Sequence, residues 1–258
     1  MTAPRSAQRR VEHCMGSVFS FDIRHPGVGP TVVNEAVRWL HHVDATFSTY
    51  RAESQISRLA RGDLALGDCT QEVVTVLQRC AELERETGGF FSARAGRTLD
   101  PSGYVKGWAI EKASNILLAA GSTNHSVNGG GDAQCAGDSA PVQPWRIGVA
   151  HPHRPGDLAA IVTGPGIAVA TSGTAERGSH VLDPHTHLAP RGHASITVVG
   201  PHLSEADAYA TAAFAMGAAA RDWLETRPGD YGFGVTTEGS TWATSGWADN
   251  TRAPADDH

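Results

Sequence analysis

Apolar residues recur every three to four positions in four stretches of the chain, and this spacing predicts four amphipathic helices. Two of the stretches stop at glycine, at Gly88 and at Gly121, and glycine is the residue that most often follows the last turn of a helix. The four predicted helices cover residues 32–43, 73–83, 109–120 and 204–225.

Elsewhere the apolar pattern shortens to the alternation of strands, with glycine and proline turns between the segments. Because helices cluster early and strands follow in an antiparallel-looking series, we predict an α+β fold rather than an alternating doubly wound one. It forms a single compact unit of packed helices and mixed or antiparallel sheets. The predicted strands cover residues 17–23, 145–150, 159–163, 167–171 and 194–199, with a terminal hairpin at 231–236 and 241–244.

We expect one domain over residues 14–246, a flexible leader over 1–13 and a frayed tail over 247–258. The formal net charge of −6 gives no broad attraction for nucleic acid, and no apolar run reaches the roughly 20 residues of a membrane-spanning helix. The four cysteines are widely spaced, and the first residues lack the apolar core of a secretory signal. These features predict a cytoplasmic protein that neither binds nucleic acid nor inserts into a membrane.

The start of the third helix carries a possible anion site. Asp100-Pro101 predicts a cap followed by proline at the first helical position, which places Gly103, Lys106 and Gly107 in the first two turns. A lysine near a helix N-terminus opposes the helix dipole unless an anion is bound there. A bound phosphate would explain the lysine and the glycines. The alternative is close helix packing with Lys106 in solvent.

Asp207 and Thr211 lie four residues apart, which places a carboxylate and a hydroxyl on one face of the fourth helix. Both groups are hard oxygen ligands, and magnesium is often held by one or two carboxylates together with substrate phosphates. Ser204 followed by Asp207 is also the pattern of a helix capping box, so this spacing leaves two interpretations open.

Two further segments leave alternatives open. The glycines of 128–132 expose backbone amides that suit close approach to a phosphate or a flavin edge, and they suit a hairpin turn equally well. Four histidines, His180, His185, His187 and His193, fall close together, but their spacing fits no closed zinc pattern. A solvated histidine-rich loop is the favoured interpretation.

Taken in order, these and other short motifs resemble the ApbE family of magnesium-dependent FAD:protein FMN transferases. The resemblance covers about residues 14 to 245. The motifs are Met15-Gly16, Phe47-Ser48-Thr49-Tyr50-Arg51, Asp100-Pro101-Ser102-Gly103-Tyr104-Val105-Lys106-Gly107, Asn128-Gly129-Gly130-Gly131-Asp132, Thr171-Ser172-Gly173, His180-Val181-Leu182-Asp183-Pro184 and Ala206 to Ala212.

The resemblance implies an ApbE-like fold related to the T-fold, and it assigns roles to individual residues. Asp207, Thr211 and a backbone carbonyl near Gly103 are the expected magnesium ligands, and His180 is the candidate general base, with Asp183 and Pro184 shaping the turn behind it. The expected FAD contacts are Met15, Ser48, Tyr50, Ser102, Gly103, Lys106, Gly130, Gly131, Asp132, Thr171, Ser172, Gly173 and His180.

The activity implied by the resemblance is transfer of FMN from FAD to a threonine or serine hydroxyl of an acceptor protein, with release of AMP. With water as the nucleophile, the same site would make an FAD pyrophosphatase that yields FMN and AMP. A hypothesis of another class is a flavin-binding or storage protein. Such a protein needs neither a base nor metal ligands, so His180, Asp207 and Thr211 argue against it.

Overall fold

The computed structural model of the protein describes residues 8–25, 27–95, 98–140, 143–174 and 181–252. Its helices are α1 (Pro30–Phe47), α2 (Gln55–Arg61), α3 (Gln71–Glu86), α4 (Ser102–Ala119), α5 (Leu203–Met216) and α6 (Ala220–Glu225). Its strands are β1 (Gln8–Cys14), β2 (Ser17–Ile23), β3 (His125–Gly129), β4 (Asp132–Ala136), β5 (Trp145–Ala150), β6 (Leu158–Gly164), β7 (Ala168–Gly173), β8 (His193–Gly200), β9 (Tyr231–Thr236), β10 (Thr241–Ala243) and β11 (Thr251–Arg252).

The strands form two antiparallel sheets. Eight strands make the larger sheet in the order β1-β2-β3-β4-β7-β8-β9-β10, and β11-β6-β5 make a smaller one. The chain therefore leaves the large sheet after β4, builds the β5–β6 hairpin of the small sheet and returns at β7. This arrangement confirms the predicted α+β class with antiparallel sheets.

The large sheet has a short ladder in its middle, which we call the seam. β4 and β7 are joined by only two residue pairs, Ala133 with Val169 and Gln134 with Ala168, whereas β7 and β8 are paired over six. α4 packs on β3 and β4, on one side of the seam, and α5 packs on β7 and β8, on the other. Because α4 and α5 also pack against each other, the helix layer joins the two halves of the sheet.

Two apolar cores hold these layers together. The main core lies between the helices and the large sheet, with Phe19, Leu40, Ile110 and Leu203 fully buried in it. A second core lies between the small sheet and the β4, β7, β8 and β9 strands of the large one. The small sheet thus covers the face of the large sheet that the helices leave open. Among the helices of the described residues, none has the length and hydropathy to cross a bilayer.

The structure corrects the predicted ends of the domain. Residues 8–13, expected in the flexible leader, belong to β1 and pair with β2. Within the expected tail, the Trp247 ring is buried and stacks on Phe233 with ring centroids 5.1 Å apart, and β11 pairs with β6. Ring stacking and backbone pairing therefore order both segments.

The predicted fourth helix is interrupted. α5 ends at Met216, and Gly217 adopts a φ of +56°, which a side-chain-bearing residue rarely adopts, before α6 begins. The third helix begins one residue later than predicted, because Pro101 is the residue before the first turn and the Asp100 carboxylate accepts a hydrogen bond from the Ser102 amide. α2, β1, β3 and β4 are elements that the apolar spacing did not predict.

Candidate active site

A cleft of about 290 Å³ opens at the seam, where β7 continues past Asp132, the first residue of β4. Residues from α4, α5, β5, β7 and the segments 90–95, 98–102 and 181–182 surround it. Its lining includes Phe90, Phe91, Ser102, Gly103, Lys106, Gly131, Gly148, Val149, Ala150, His151, Pro152, Thr171, Ser172, Gly173, Val181, Leu182, Asp207 and Thr211.

A tight turn borders the cleft on the β4 side. Gly130 and Gly131 form the two-residue connection of the β3–β4 hairpin, with φ values of +57° and +84°, as this type of turn requires. The glycine-rich segment is therefore a hairpin turn, and it also presents Gly131 to the cleft. The absence of a side chain at Gly130 is also needed for packing, because a Cβ there would lie 2.9 Å from the Ser17 hydroxyl.

Lys106 and Asp132 form a buried ion pair beside this turn. The ammonium nitrogen of Lys106 lies 2.6 Å from Oδ2 of Asp132, whose side chain is fully inaccessible to solvent. The other oxygen, Oδ1, accepts a hydrogen bond of 3.0 Å from the Thr171 amide. Asp132 therefore links α4 to β7 across the seam and holds the lysine ammonium at the cleft.

α5 contributes Asp207 and Thr211 from one face, as the sequence predicts. Oδ2 of Asp207 accepts a hydrogen bond of 2.9 Å from the Gly107 amide, and Oδ1 lies 3.9 Å from the Lys106 ammonium. The Thr211 hydroxyl lies 3.3 Å from the hydroxyl of Ser172 on β7. These contacts and those of Asp132 close a ring that runs through α4, β4, β7 and α5, which we call the polar ring.

The glycines of α4 allow the two helices to approach closely. A Cβ at Gly107 would lie 2.5 Å from the Leu203 carbonyl oxygen, and one at Gly103 would lie 3.1 Å from the Thr211 hydroxyl. Close helix packing therefore accounts for these glycines, but Lys106 is not in solvent, since its side chain is 18% exposed and ion-paired. Close helix packing thus explains the glycines of this segment but not the position of Lys106.

The capping box is not formed. α5 begins at Leu203, so Ser204 is already inside the helix, and its amide donates to Oε2 of Glu111 on α4. Asp207 instead turns its carboxylate toward the amide of Gly107. The carboxylate thus faces the cleft and not the start of its own helix.

The donor set at the polar ring fits a magnesium ion that also binds a phosphate. Asp207 and Thr211 offer a carboxylate and a hydroxyl oxygen, and the glycine at position 103 leaves room beside the Thr211 hydroxyl. Hard oxygen donors of this kind, few in number, suit magnesium because substrate phosphates and water complete its coordination.

Five of the predicted FAD contacts in the described part of the chain are not among the residues that line this cleft: Met15, Ser48, Tyr50, Gly130 and Asp132. Gly130 and Asp132 flank the lining residue Gly131. Met15 and Gly16 form the β1–β2 turn and line a second, shallower depression that contains Arg51 and Asp44. The two depressions adjoin, because Ser17 packs against Gly130 of the β3–β4 turn. Ser48 follows the end of α1, where its hydroxyl accepts from the amide of Tyr50, and the Tyr50 ring is 98% exposed.

The histidine-rich segment is only partly described. His180 lies outside the described residues, but Val181 and Leu182, which follow it, line the cleft. The Asp183 carboxylate accepts from the His185 amide and the Thr186 hydroxyl, which confirms its role in shaping a turn.

The three described histidines of the predicted cluster make separate contacts. The His185 ring packs edge-on against Phe90, His187 Nδ1 lies 3.0 Å from the Ala95 carbonyl oxygen, and buried His193 accepts from the Trp242 indole. Within the described part of the chain, no three such residues gather into a group that could hold a metal ion.

Several lining residues were not predicted. Phe90 and Phe91 lie after α3, and His151-Pro152 follows β5. Their only sequence signal is an aromatic pair or a proline next to a predicted element, which is common in any fold. Their presence at the cleft depends on the paths of the β5–β6 hairpin and of residues 90–95.

Comparison with known proteins decides the family. The model of the ApbE family matches residues 15–98 and 92–233 of this chain. The chain belongs to the ApbE family. The two matched pieces include every described residue of the polar ring and meet near the segment that follows Phe90.

Relatives in the family carry a common name. A Rhodobacter capsulatus protein named FAD:protein FMN transferase is 30% identical over 202 residues, covering 75% of this chain and 35% of the relative. A Salmonella typhimurium protein of the same name is 30% identical over 157 residues, covering 57% of this chain and 45% of the relative. The chain thus spans less than half the length of these relatives. One from Vibrio cholerae is 25% identical, with 79% of each chain covered.

Solved structures of the family share the fold. The ApbE protein of Thermotoga maritima superposes with a TM-score of 0.88 at 21% identity, covering 96% of this chain and all of that one. The flavin transferase ApbE of Vibrio cholerae gives a TM-score of 0.82 at 21% identity over 95% of this chain. The arrangement of helices and sheets described above is therefore the ApbE fold.

Proposed function

We propose that this protein transfers FMN from FAD to a threonine or serine hydroxyl of an acceptor protein, in a magnesium-dependent reaction that releases AMP. The observation that carries the proposal is the polar ring, which brings a buried ion pair, a carboxylate and two hydroxyls to one cleft. Relatives of this chain are named for this activity. FAD and a hydroxyl-bearing acceptor are accordingly the proposed substrates.

Each residue of the ring has a role in binding the diphosphate of FAD. Lys106 supplies a cation that Asp132 holds in place, and the exposed amides at Gly131 suit phosphate oxygens. Asp207, Thr211 and a carbonyl near Gly103 would hold the magnesium ion. A bound magnesium ion supplies positive charge that offsets the charge developing on the diphosphate.

The flavin or the adenine of the substrate requires contacts beyond the ring. Met15 adopts a φ of +50°, an unusual conformation for a residue with a side chain, and it holds this conformation next to the second depression. Strain of this kind is often retained at binding sites, which supports a role for Met15 in FAD binding. Ser48 and Tyr50 would join it when the substrate is bound.

His180 is the proposed general base. A neutral imidazole accepts a proton near pH 7, which an attacking threonine hydroxyl must lose. The hydroxyl oxygen bonds to the phosphorus of the FMN moiety, the bond from that phosphorus to the bridging oxygen breaks, and AMP leaves with the electron pair. The proton of the hydroxyl passes to His180. The positions of Val181 and Leu182 in the cleft lining support this assignment.

We also propose a cytoplasmic location. All four cysteines are free, and the pairs needed for disulfides are absent among the described residues. Free thiols are typical of a reducing compartment.

The deciding experiment is mass spectrometry of an acceptor protein incubated with this protein, FAD and Mg²⁺, with AMP release followed in parallel. The expected result is an acceptor heavier by one FMN, with one AMP formed for each adduct. Release of FMN and AMP without an adduct would indicate a pyrophosphatase. FAD that binds and stays intact would contradict both enzymatic functions.

Two variants test the roles of individual residues. Asp207→Asn retains an oxygen for the Gly107 amide but loses the charge, so we expect Mg²⁺-dependent transfer to fall by on the order of 100-fold or more. Glu205 lies on the same helix and pairs with Arg79, so Glu205→Gln is the matched control and should transfer FMN normally.

His180→Ala should bind FAD and lose transfer of FMN. A normal transfer rate would disprove the assignment of His180 as the general base.

A further inference from the structure

One wall of the cleft carries a single polar side chain. The β5–β6 hairpin contributes Gly148, Val149, Ala150, His151 and Pro152 to the lining, and of these only His151 has a side chain that can form hydrogen bonds. None of the five carries a fixed positive charge. This wall therefore suits an uncharged planar group better than a diphosphate, whose charge is matched by Lys106 elsewhere in the lining.

The His151 ring is held in one orientation. Its Nδ1 accepts a hydrogen bond of 3.1 Å from the backbone amide of His153. The His151 amide donates to the Asp157 carbonyl, and the amide of Arg154 donates to the carbonyl of His151, so the whole turn is closed on itself. His153 is fixed in turn, with Nε2 3.0 Å from the Thr236 carbonyl oxygen.

This arrangement fixes the position of the ring proton. Because Nδ1 accepts a hydrogen bond, the proton of a neutral imidazole must be on Nε2. Partial burial, Arg154 and His153 all lower the pKa of His151, so the ring is neutral at pH 7. No hydrogen bond to Nε2 is present among the described residues, and Nε2–H is therefore an available donor at the cleft.

We propose that the Nε2–H of His151 donates a hydrogen bond to a ring carbonyl oxygen of the flavin and so selects flavin dinucleotides over other nucleotides. The inference rests on the proposed function, because it takes FAD as the substrate. A flavin ring presents carbonyl acceptors along one edge, which a single N–H donor satisfies. Adenine would also present an amino group, for which this wall offers no side-chain acceptor. His151 acts here as a specificity residue and not as a proton acceptor.

The test compares FAD with FMN and with ADP, each of which contains only one part of FAD. Dissociation constants for FAD, FMN and ADP are measured with Mg²⁺ present, on the wild type, His151→Leu, His151→Gln and the control Arg154→Ala. Arg154 lies in the same turn, and its side chain contacts Asp157 outside the cleft lining. Melting temperatures of all four proteins establish that each is folded.

We expect His151→Leu to weaken FAD and FMN binding by about three- to tenfold, the effect of one hydrogen bond, and to leave ADP binding unchanged. His151→Gln, which keeps an N–H donor, should recover most of the loss. The visible absorption band of bound flavin should also shift in His151→Leu relative to the wild type.

Two results would overturn the inference. Equal weakening of FAD, FMN and ADP would mean that His151 acts on the phosphates, and unchanged FAD binding would mean that it makes no contact with the flavin. Both differ from failure of the proposed function, in which the wild type itself would either not bind FAD or bind it without transferring FMN. Arg154→Ala should match the wild type for all three ligands.

Discussion

At the scale of single residues, the site depends most on the Lys106–Asp132 pair. The carboxylate is fully buried, and Oδ2 has no hydrogen-bond partner among the described residues apart from its ion pair with the lysine. A buried charge that loses its partner is costly, whereas a pair replaced as a unit is tolerated much better. Loss of either partner alone should therefore destabilise the fold as well as weaken the proposed binding of phosphate.

The difference between removing one partner of this pair and replacing both can be measured. Lys106→Met should lower the free energy of unfolding by about 3 kcal/mol, because it leaves the Asp132 carboxylate buried without a counter-charge. Asp132→Asn should cost less, since Lys106 is partly exposed and can be hydrated. The double variant should be more stable than the sum of the two single effects predicts. Urea unfolding gives all three values, and additive effects would mean that the pair is not coupled.

The sequence predicted the residues of the site better than their contacts. Its motifs singled out Lys106, Asp132, Asp207 and Thr211, all of which the structure brings together. It could not predict that Asp132 binds Lys106, because the two are joined only by packing of α4 beneath the β3–β4 hairpin. His151 was missed for the same reason, as its place in the site depends on the path of the small sheet.

At the scale of elements, the close approach of α4 and α5 positions Asp207. Gly107 lies where the helices meet, and its amide is the donor to the Asp207 carboxylate. α5 is buried nearly all round and so has no strong apolar face, whereas α4 leaves Lys112, Asn115 and Leu118 exposed. Periodicity alone therefore defined α5 less well than α1 and α3.

Gly107→Ala tests this contact. Alanine favours helices by about 1 kcal/mol over glycine, but the added methyl would meet the Leu203 carbonyl oxygen and force the helices apart. We expect a net loss of about 1–3 kcal/mol in the free energy of unfolding, together with weaker Mg²⁺-dependent transfer. Gly67→Ala is the control, because nothing lies within 4 Å of the added atom there. Equal stability of the two variants would refute the steric argument.

A second contact between elements makes stability depend on pH. His125 on β3 is fully buried and hydrogen-bonded to Ser114 of α4 and to Ser122, and burial lowers its pKa from 6.5 to about 4. Between these values the unfolded chain binds a proton that the folded one does not. Stability due to this group is therefore lost as the pH falls from 6.5 to 4, by on the order of 3 kcal/mol.

The pH effect is measured by difference. Urea unfolding of the wild type and of His125→Asn at several pH values cancels the contribution of other titrating groups. We expect the variant to be less stable at pH 7, and we expect the gap between the two proteins to narrow steadily below pH 6.5. A constant gap would mean that His125 has the same pKa in the folded and the unfolded chain.

The strands that the sequence missed also belong to this scale. β3 and β4 are buried on both faces, so they lack the alternation by which a half-exposed strand is identified. β1 is an edge strand of mostly polar residues, and only its pairing with β2 orders it. The burial of β3 and β4 depends on elements that lie far away in the sequence. The order of β1 depends on its partner strand, because its own residues carry no apolar pattern.

At the scale of the whole molecule, the proposed substrates should act on stability together. FAD and Mg²⁺ would meet at a site built from both halves of the molecule, so each should strengthen binding of the other. A ligand at a hundred times its dissociation constant stabilises a protein by about 2.7 kcal/mol. We therefore expect FAD to raise the melting temperature more with Mg²⁺ than with EDTA.

The matched control for this coupling is Asp207→Asn. In this variant FAD should stabilise the protein equally with Mg²⁺ and with EDTA, because the carboxylate proposed to bind the metal is gone. A wild-type protein that showed the same shift in both buffers would contradict a metal site in the cleft. Differential scanning fluorimetry is sufficient to separate these outcomes.

The short ladder between β4 and β7 should also affect how easily the sheet opens locally. It joins fewer residue pairs than any other ladder of the described eight-stranded sheet, so the two halves of this sheet are held together by the fewest strand pairings at this point. Local opening follows the weakest ladder, and the backbone amides beside it should exchange with deuterium early. A dinucleotide that binds across this ladder would hold the two halves together, and the protein would be more rigid with its proposed substrate bound than without it.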